Sequence, residues 1–233
     1  MKLAIQLCAW LAFGLVCGAT TRATAQSAIE IRAEDGGVVH ADQYGSGDRG
    51  VVLAHGGRFD RTSWKPQALE LAAAGFRVIA IDFRAAAEAR AGRDTPCLYD
   101  EQCLARDVLA AVRHLQRHGA TTVSIVGGSL GGGAAAQATI DARPGEIDRV
   151  VLLAHMLIET PAKIRGRKLF IVAKDDRGGN NQPRLRGIQE QYDKAPGPKE
   201  LLVVDGTAHA QAMFDAAEGP RVMQNILRFL LAK

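Results

Sequence analysis

The chain has 233 residues, with 29 Lys and Arg against 25 Asp and Glu, and a net charge of +4 with histidine neutral. So small an excess, with 5% aromatic residues and no basic run, speaks against a nucleic-acid-binding stripe or an electrostatic membrane anchor. Hydrophobic residues make up 47%, and no repeat, low-complexity tract or linker divides the chain, so one domain with a substantial core is expected.

The first segment reads as a secretory signal rather than as part of that domain. Met1 and Lys2 give a positive start, and residues 3–17 are an uncharged apolar run too short for a comfortable membrane span. Ala23-Thr24-Ala25 then offers a small-residue cleavage site before Gln26. The competing reading is an uncleaved N-terminal anchor. Lipid attachment at Cys17 is disfavoured, because Gly14-Leu15-Val16 puts no small residue just before it. Cleavage would remove Lys2 and Arg22 and no acidic residue, leaving an excess of about +2. The expectation is a signal over residues 1–25 and a domain over residues 26–233, periplasmic or secreted. No stable membrane association is expected after cleavage, and no nucleic-acid partner. Cys8 and Cys17 leave with the signal, so Cys97 and Cys103 remain in an oxidising compartment, where a disulfide is expected. Two free buried thiols are the alternative. A zinc pair is disfavoured because no second ligand pair stands at a suitable spacing, so no metal is expected. A loop this short adds little stability and would serve to shape the chain.

The domain opens with alternating residues 28–32 and 38–40 around Asp35-Gly36-Gly37, which predicts a hairpin. Nearly unbroken apolar runs follow at residues 51–54, 76–81, 122–126, 150–154, 169–173 and 201–204, the pattern of strands covered on both faces. Helical spacing lies between them at residues 66–74, 104–118, 130–140, 185–195 and 221–232, with C-terminal glycines at Gly75 and Gly119. Residues 85–103 read as a loop. Strand and helix alternating in this way predict an α/β fold with a mostly parallel sheet, and a ligand site at the carboxyl ends of its strands.

At the third of these runs the chain reads Gly127-Gly128-Ser129-Leu130-Gly131. A serine on a sharp strand-to-helix turn needs glycines two residues away on either side to relieve crowding. The turn lifts its hydroxyl above the sheet, with the Leu130 amide aimed at a developing oxyanion. The structural alternative is a glycine-rich packing turn. A serine needs a base, and of six histidines His209 is favoured. It follows the last strand in Asp205-Gly206-Thr207-Ala208-His209 and comes after the serine in the order that nucleophile, acid and base require. His114 and His118, four apart on a predicted helix, read as a solvated face, and His40 belongs to the hairpin. The orienting acid is expected after residues 169–173, where Lys174-Asp175-Asp176 offers two candidates. Asp176 is preferred because it lies further along the turn that leaves the strand. After residues 51–54 comes His55-Gly56-Gly57-Arg58, where an amide of Gly57 or Arg58 would complete an oxyanion hole with Leu130. Losing such a donor costs about 2.7–4 kcal/mol of transition-state stabilisation. His55 reads as structural; His155, at a strand end near the site, is a candidate to touch substrate, with a packing role behind the site favoured.

Over nearly all of residues 26–233 these pieces resemble the α/β-hydrolase superfamily. The resemblance is carried by His55-Gly56-Gly57, Ile81-Asp82-Phe83-Arg84, Gly127-Gly128-Ser129-Leu130-Gly131, Val172-Ala173-Lys174-Asp175-Asp176 and Gly206-Thr207-Ala208-His209. Compact carboxylesterases and dienelactone-hydrolase-like members look most similar. The resemblance implies an eight-stranded sheet and acyl-enzyme catalysis without metal or other cofactor. It makes Ser129 the nucleophile, His209 the base, Asp176 the orienting acid, and Gly57 with Leu130 the oxyanion hole. Residues 155–167 are too short for the helical cap of many relatives, so an open site accepting a small-molecule ester is expected, partly covered by residues 85–103. A thioesterase or aminopeptidase-like activity would use the same groups. A non-catalytic ligand-binding relative would keep the scaffold alone. Oligomeric state is left open by the sequence.

Overall fold

The computed structural model describes residues 26–95, 97–178 and 181–232; the expected signal segment lies outside them. The hairpin forms from β1 (Ser27–Arg32) and β2 (Val38–Tyr44). Then come β3 (Arg49–Ala54), α1 (Lys65–Ala73), β4 (Phe76–Ile81), α2 (Arg84–Arg90), α3 (Glu101–Arg117), β5 (Thr122–Gly128) and α4 (Leu130–Asp141). The chain closes with β6 (Arg149–Leu153), β7 (Arg167–Ala173), α5 (Arg184–Lys194), β8 (Lys199–Val204) and α6 (Gly219–Leu231). The eight strands form one sheet in the order β1-β2-β4-β3-β5-β6-β7-β8. Only β2 runs antiparallel to its neighbours, β1 and β4; every other pairing is parallel.

The unbroken apolar runs have a simple cause. Along β3 and β4, Val52, Ala54, Ile79 and Ile81 face one core, which α2, α3, α4 and α5 cover. Val51, Leu53, Val78 and Ala80 face a second core under α1 and α6. With both faces dry, each strand position must be apolar, and the period-2 signal disappears. Leu104, Val108, Leu109, Val112 and Leu115 are all buried on the inner face of α3, as their spacing predicts. His118 is exposed beyond the end of α3, but His114 is half-buried against it with the rings 4.0 Å apart, so only part of that pair is a solvated face.

Part of the segment expected to be a loop is helical. In α2 only Ala85 and Ala86 are buried, so no apolar stripe announces it. It starts where the Arg84 backbone N–H donates to Asp107 of α3 at 2.9 Å, while the Arg84 Nε donates to the other oxygen of Asp107 at 2.6 Å. The remaining Arg84 nitrogens donate to Asp35 at 2.8 Å, which holds that carboxyl at a pKa of about 2. Beyond α2, Cys97 and Cys103 are joined by a disulfide with Cα atoms 5.5 Å apart, bracketing exposed Tyr99.

His155, just past β6, is fully buried edge-to-face on Phe170 at 5.5 Å, and neither ring nitrogen has a partner. Burial, only partly opposed by the neighbouring Gln191 side chain, lowers its pKa to about 4. The unfolded chain therefore binds a proton here between about pH 6.5 and 4 that the folded chain refuses, and stability falls as the pH is lowered through that window. His155→Leu should thus gain on the parent by roughly 2 kcal/mol between pH 7.5 and pH 5, measured by urea unfolding. A pH-independent difference would show that His155 titrates normally.

Candidate active site

The sharp turn at the end of β5 is built by backbone contact. Ser129 has φ 51° and ψ −115°, a conformation that costs a non-glycine residue about 1–3 kcal/mol and persists only when its surroundings impose it. They do so through four hydrogen bonds. The Ser129 N–H donates to Leu153 O at 2.9 Å, and its carbonyl accepts from the N–H groups of Gly132, Gly133 and Met156 at 3.0, 3.1 and 2.8 Å. A Cβ on Gly127 would lie 2.3 Å from Gly131 O, and one on Gly131 would lie 2.3 Å from Ala54 O. Both glycines are therefore required by close approach.

Three strand ends bring their side chains to one point. His209 follows β8 and precedes a 3₁₀ turn over Ala210–Asp215. Its Nε2 lies 2.9 Å from Ser129 Oγ and its Nδ1 lies 2.7 Å from Asp176 Oδ2. The carboxylate can only accept, so the Nδ1 carries the proton and the Nε2 lone pair faces the hydroxyl. Asp176 is 1% exposed, and Arg184 of α5 lies 3.6 Å from its other oxygen. Asp175 is exposed, with its N–H spent on Gly206 O at 3.0 Å. The two candidate carboxylates are thus separated by geometry: Asp176 meets the imidazole and Asp175 does not.

The loop after β3 faces the same point. Leu130 is the first residue of α4, where backbone N–H groups have no partner within the helix. Gly57 is exposed with nothing within 4 Å of where a Cβ would stand, and both line a cavity of about 730 Å³ above Ser129 and His209. His55 is fully buried behind it. Its Nδ1 donates to Gly56 O at 2.8 Å, and its Nε2 accepts from the Phe83 N–H at 3.3 Å. His155 does not line the cavity, and His40 lies on β2 beside Glu30.

Several side chains at the site carry no sequence signal, Arg58 being singled out only for its backbone amide. Gln211, 5% exposed, accepts from the Gly56 N–H at 2.7 Å and donates to Ser63 Oγ at 2.6 Å. Arg58, Arg177 and Arg184 line the cavity with Phe59 and Tyr99, and among the described residues no Asp or Glu lines it. Proximity to Ser129 in space, rather than along the chain, is what singles them out. Among the described residues no group of three or more His, Cys, Asp or Glu is arranged to hold a metal ion, and no helix is long and apolar enough to cross a membrane.

The family model for the alpha/beta hydrolase fold matches residues 50–212. Among solved structures, a dienelactone hydrolase from Anabaena variabilis superposes with a TM-score of 0.75 at 20% identity, covering 89% of this chain and 97% of that one. An esterase from Pyrococcus furiosus gives 0.71 at 19% identity over 89% and 92% of the two chains. An esterase from Exiguobacterium antarcticum gives 0.68 at 16% identity over 88% and 99%. No curated protein sequence matches the chain. The strand order, the glycine-flanked serine turn and the matched span agree: the chain belongs to the α/β-hydrolase fold family.

Proposed function

We propose that the protein is an exported serine hydrolase that cleaves carboxylic esters through an acyl-enzyme. The observation that carries this reading is the unbroken hydrogen-bonded row from Ser129 Oγ through His209 to Asp176. In the proposed reaction Ser129 Oγ attacks the ester carbonyl carbon while His209 Nε2 takes its proton. Asp176, already accepting from Nδ1, stabilises the imidazolium. The carbonyl oxygen, now anionic, is received by the N–H groups of Gly57 and Leu130. The tetrahedral adduct collapses, the C–O bond to the alcohol breaks, and His209 returns the proton to the leaving oxygen. Water then enters, loses a proton to His209, attacks the acyl carbon and releases the acid, regenerating Ser129. Export is supported by the signal-like residues 1–25 and by the bonded Cys97–Cys103 pair. The test is labelling with a fluorophosphonate. The periplasmic or secreted protein should begin at Gln26 and carry one adduct, on the peptide containing Ser129. An adduct elsewhere, or none, would overturn the reading.

The cavity wall adds an expectation about charge. Arg58, Arg177 and Arg184 line the wall and, among the described residues, no Asp or Glu does; Arg184 is partly neutralised by Asp176 at 3.6 Å, so Arg58 and Arg177 carry most of the charge that should draw in an anionic ester. The 4-nitrophenyl monoester of adipic acid should show about tenfold higher kcat/KM than its neutral ω-methyl ester at low ionic strength. Added salt and Arg58→Gln should both narrow that gap. Equal rates at low salt would mean that these arginines serve solvation alone.

A further inference from the structure

Gly57 has no side chain, and a Cβ there would meet nothing within 4 Å, so no side-chain packing at this position sets the direction of its N–H. It must be held through the neighbouring peptide. The Gly56 carbonyl accepts from His55 Nδ1 at 2.8 Å and from the Phe59 N–H at 3.0 Å. Because the peptide is planar and trans, the Gly57 N–H points the opposite way. The other end of the Gly56 residue, its own N–H, is tied at 2.7 Å to Oε1 of Gln211. That amide is itself anchored. Its Nε2 donates to Ser63 Oγ at 2.6 Å, and Ser63 Oγ donates to Asp60 O at 2.6 Å. The Gln211 side chain also fills the space left by two glycines: a Cβ on Gly56 or Gly128 would lie 3.3 or 3.2 Å from its Oε1. One buried side chain therefore meets the end of β3, the end of β5 beside Ser129, and the turn that starts at His209.

We propose that Gln211 is a positioning residue that fixes the glycine turn after β3, so that the Gly57 N–H is already aimed when the oxyanion forms. It joins that turn to the loop carrying His209, so the donor and the base keep one spacing. The role rests on the serine-hydrolase reading above, but belongs to a residue outside the reacting groups. It predicts that removing the Gln211 acceptor weakens the transition state and leaves substrate binding alone.

The experiment compares the parent with Gln211→Met, which keeps length and fills the space without hydrogen bonds, and Gln211→Glu, which keeps an acceptor for the Gly56 N–H. Thermal melting checks that both variants fold. For Gln211→Met, kcat should fall about 10- to 100-fold with KM within about twofold, since a misaimed donor loses part of what a deleted one loses. Affinity for an aryl trifluoromethyl ketone, whose hemiketal oxygen on Ser129 takes the oxyanion position, should fall by a similar factor. Affinity for the product carboxylate should not move. Gln211→Glu should recover kcat to within about threefold, because the N–H acceptor is restored. Parent-like kcat and ketone affinity in Gln211→Met would overturn the proposal. So would an equal fall in the Met and Glu variants, which would point to packing alone. A parent protein inert to both the ketone and the fluorophosphonate removes the hydrolase reading and this role with it. That outcome is seen before any variant is made.

Discussion

Ser129→Ala is expected to lower kcat on short aryl esters by about 10⁴–10⁶-fold and to abolish fluorophosphonate labelling, with the fold intact. The size follows from covalent catalysis: without Oγ no acyl-enzyme forms, and only residual stabilisation by the Gly57 and Leu130 amides can assist water. The intact fold follows from the local structure. The hydrogen bonds that hold residue 129 come from its backbone, to Leu153, Gly132, Gly133 and Met156, and alanine keeps all of them. Among the described residues, the only hydrogen-bond partner of Oγ is the His209 ring. The thermal midpoint should therefore stay within about 3 °C, equivalent to no more than roughly 1 kcal/mol. Undiminished labelling of the alanine variant would move the nucleophile elsewhere.

The second large effect separates two adjacent aspartates. Asp176→Asn should lower kcat by about 10³–10⁴-fold near neutral pH, whereas Asp175→Asn, on an exposed side chain, should change it less than about threefold. Asp176 Oδ2 accepts the proton on His209 Nδ1 at 2.7 Å. An amide nitrogen in that place donates instead, so the imidazole moves its proton to Nε2 and meets the Ser129 hydroxyl without a lone pair. The asparagine volume is nearly that of aspartate, so misfolding does not confound the comparison. Steady-state kinetics of the two variants decide the matter, and a larger loss in Asp175→Asn would reverse the roles.

Much of this arrangement is legible in the chain because the physics is local. The sheet can be read because strands buried on both faces must be apolar throughout, and the serine turn because Gly127 and Gly131 have no room for a Cβ. What cannot be read depends on distant partners. Helix α2 has no apolar period and is anchored by Arg84 to Asp107 and Asp35, 23 and 49 residues away. Gln211 has no motif of its own, and its partners Gly56 and Ser63 lie 155 and 148 residues back. The choice between Asp175 and Asp176 turns on one residue's phase in a turn, which propensity does not resolve. Position along the turn favours Asp176, and the imidazole contact gives the reason.

The run of small residues that opens α4 has a consequence for how such a protein can change. A Cβ on Gly132 would stand 3.0 Å from Gly127 O and from the His155 Cα, and one on Gly133 would stand 3.1 Å from Met156 O. The height of the hydroxyl over the sheet is thus gauged by main chain resting on main chain, with almost no adjustable side-chain volume between. The side chains of Phe59, Tyr99 and Arg177, by contrast, line the cavity outside that stack. Appetite for a new ester can therefore drift at the rim while the reactive centre stays where it is.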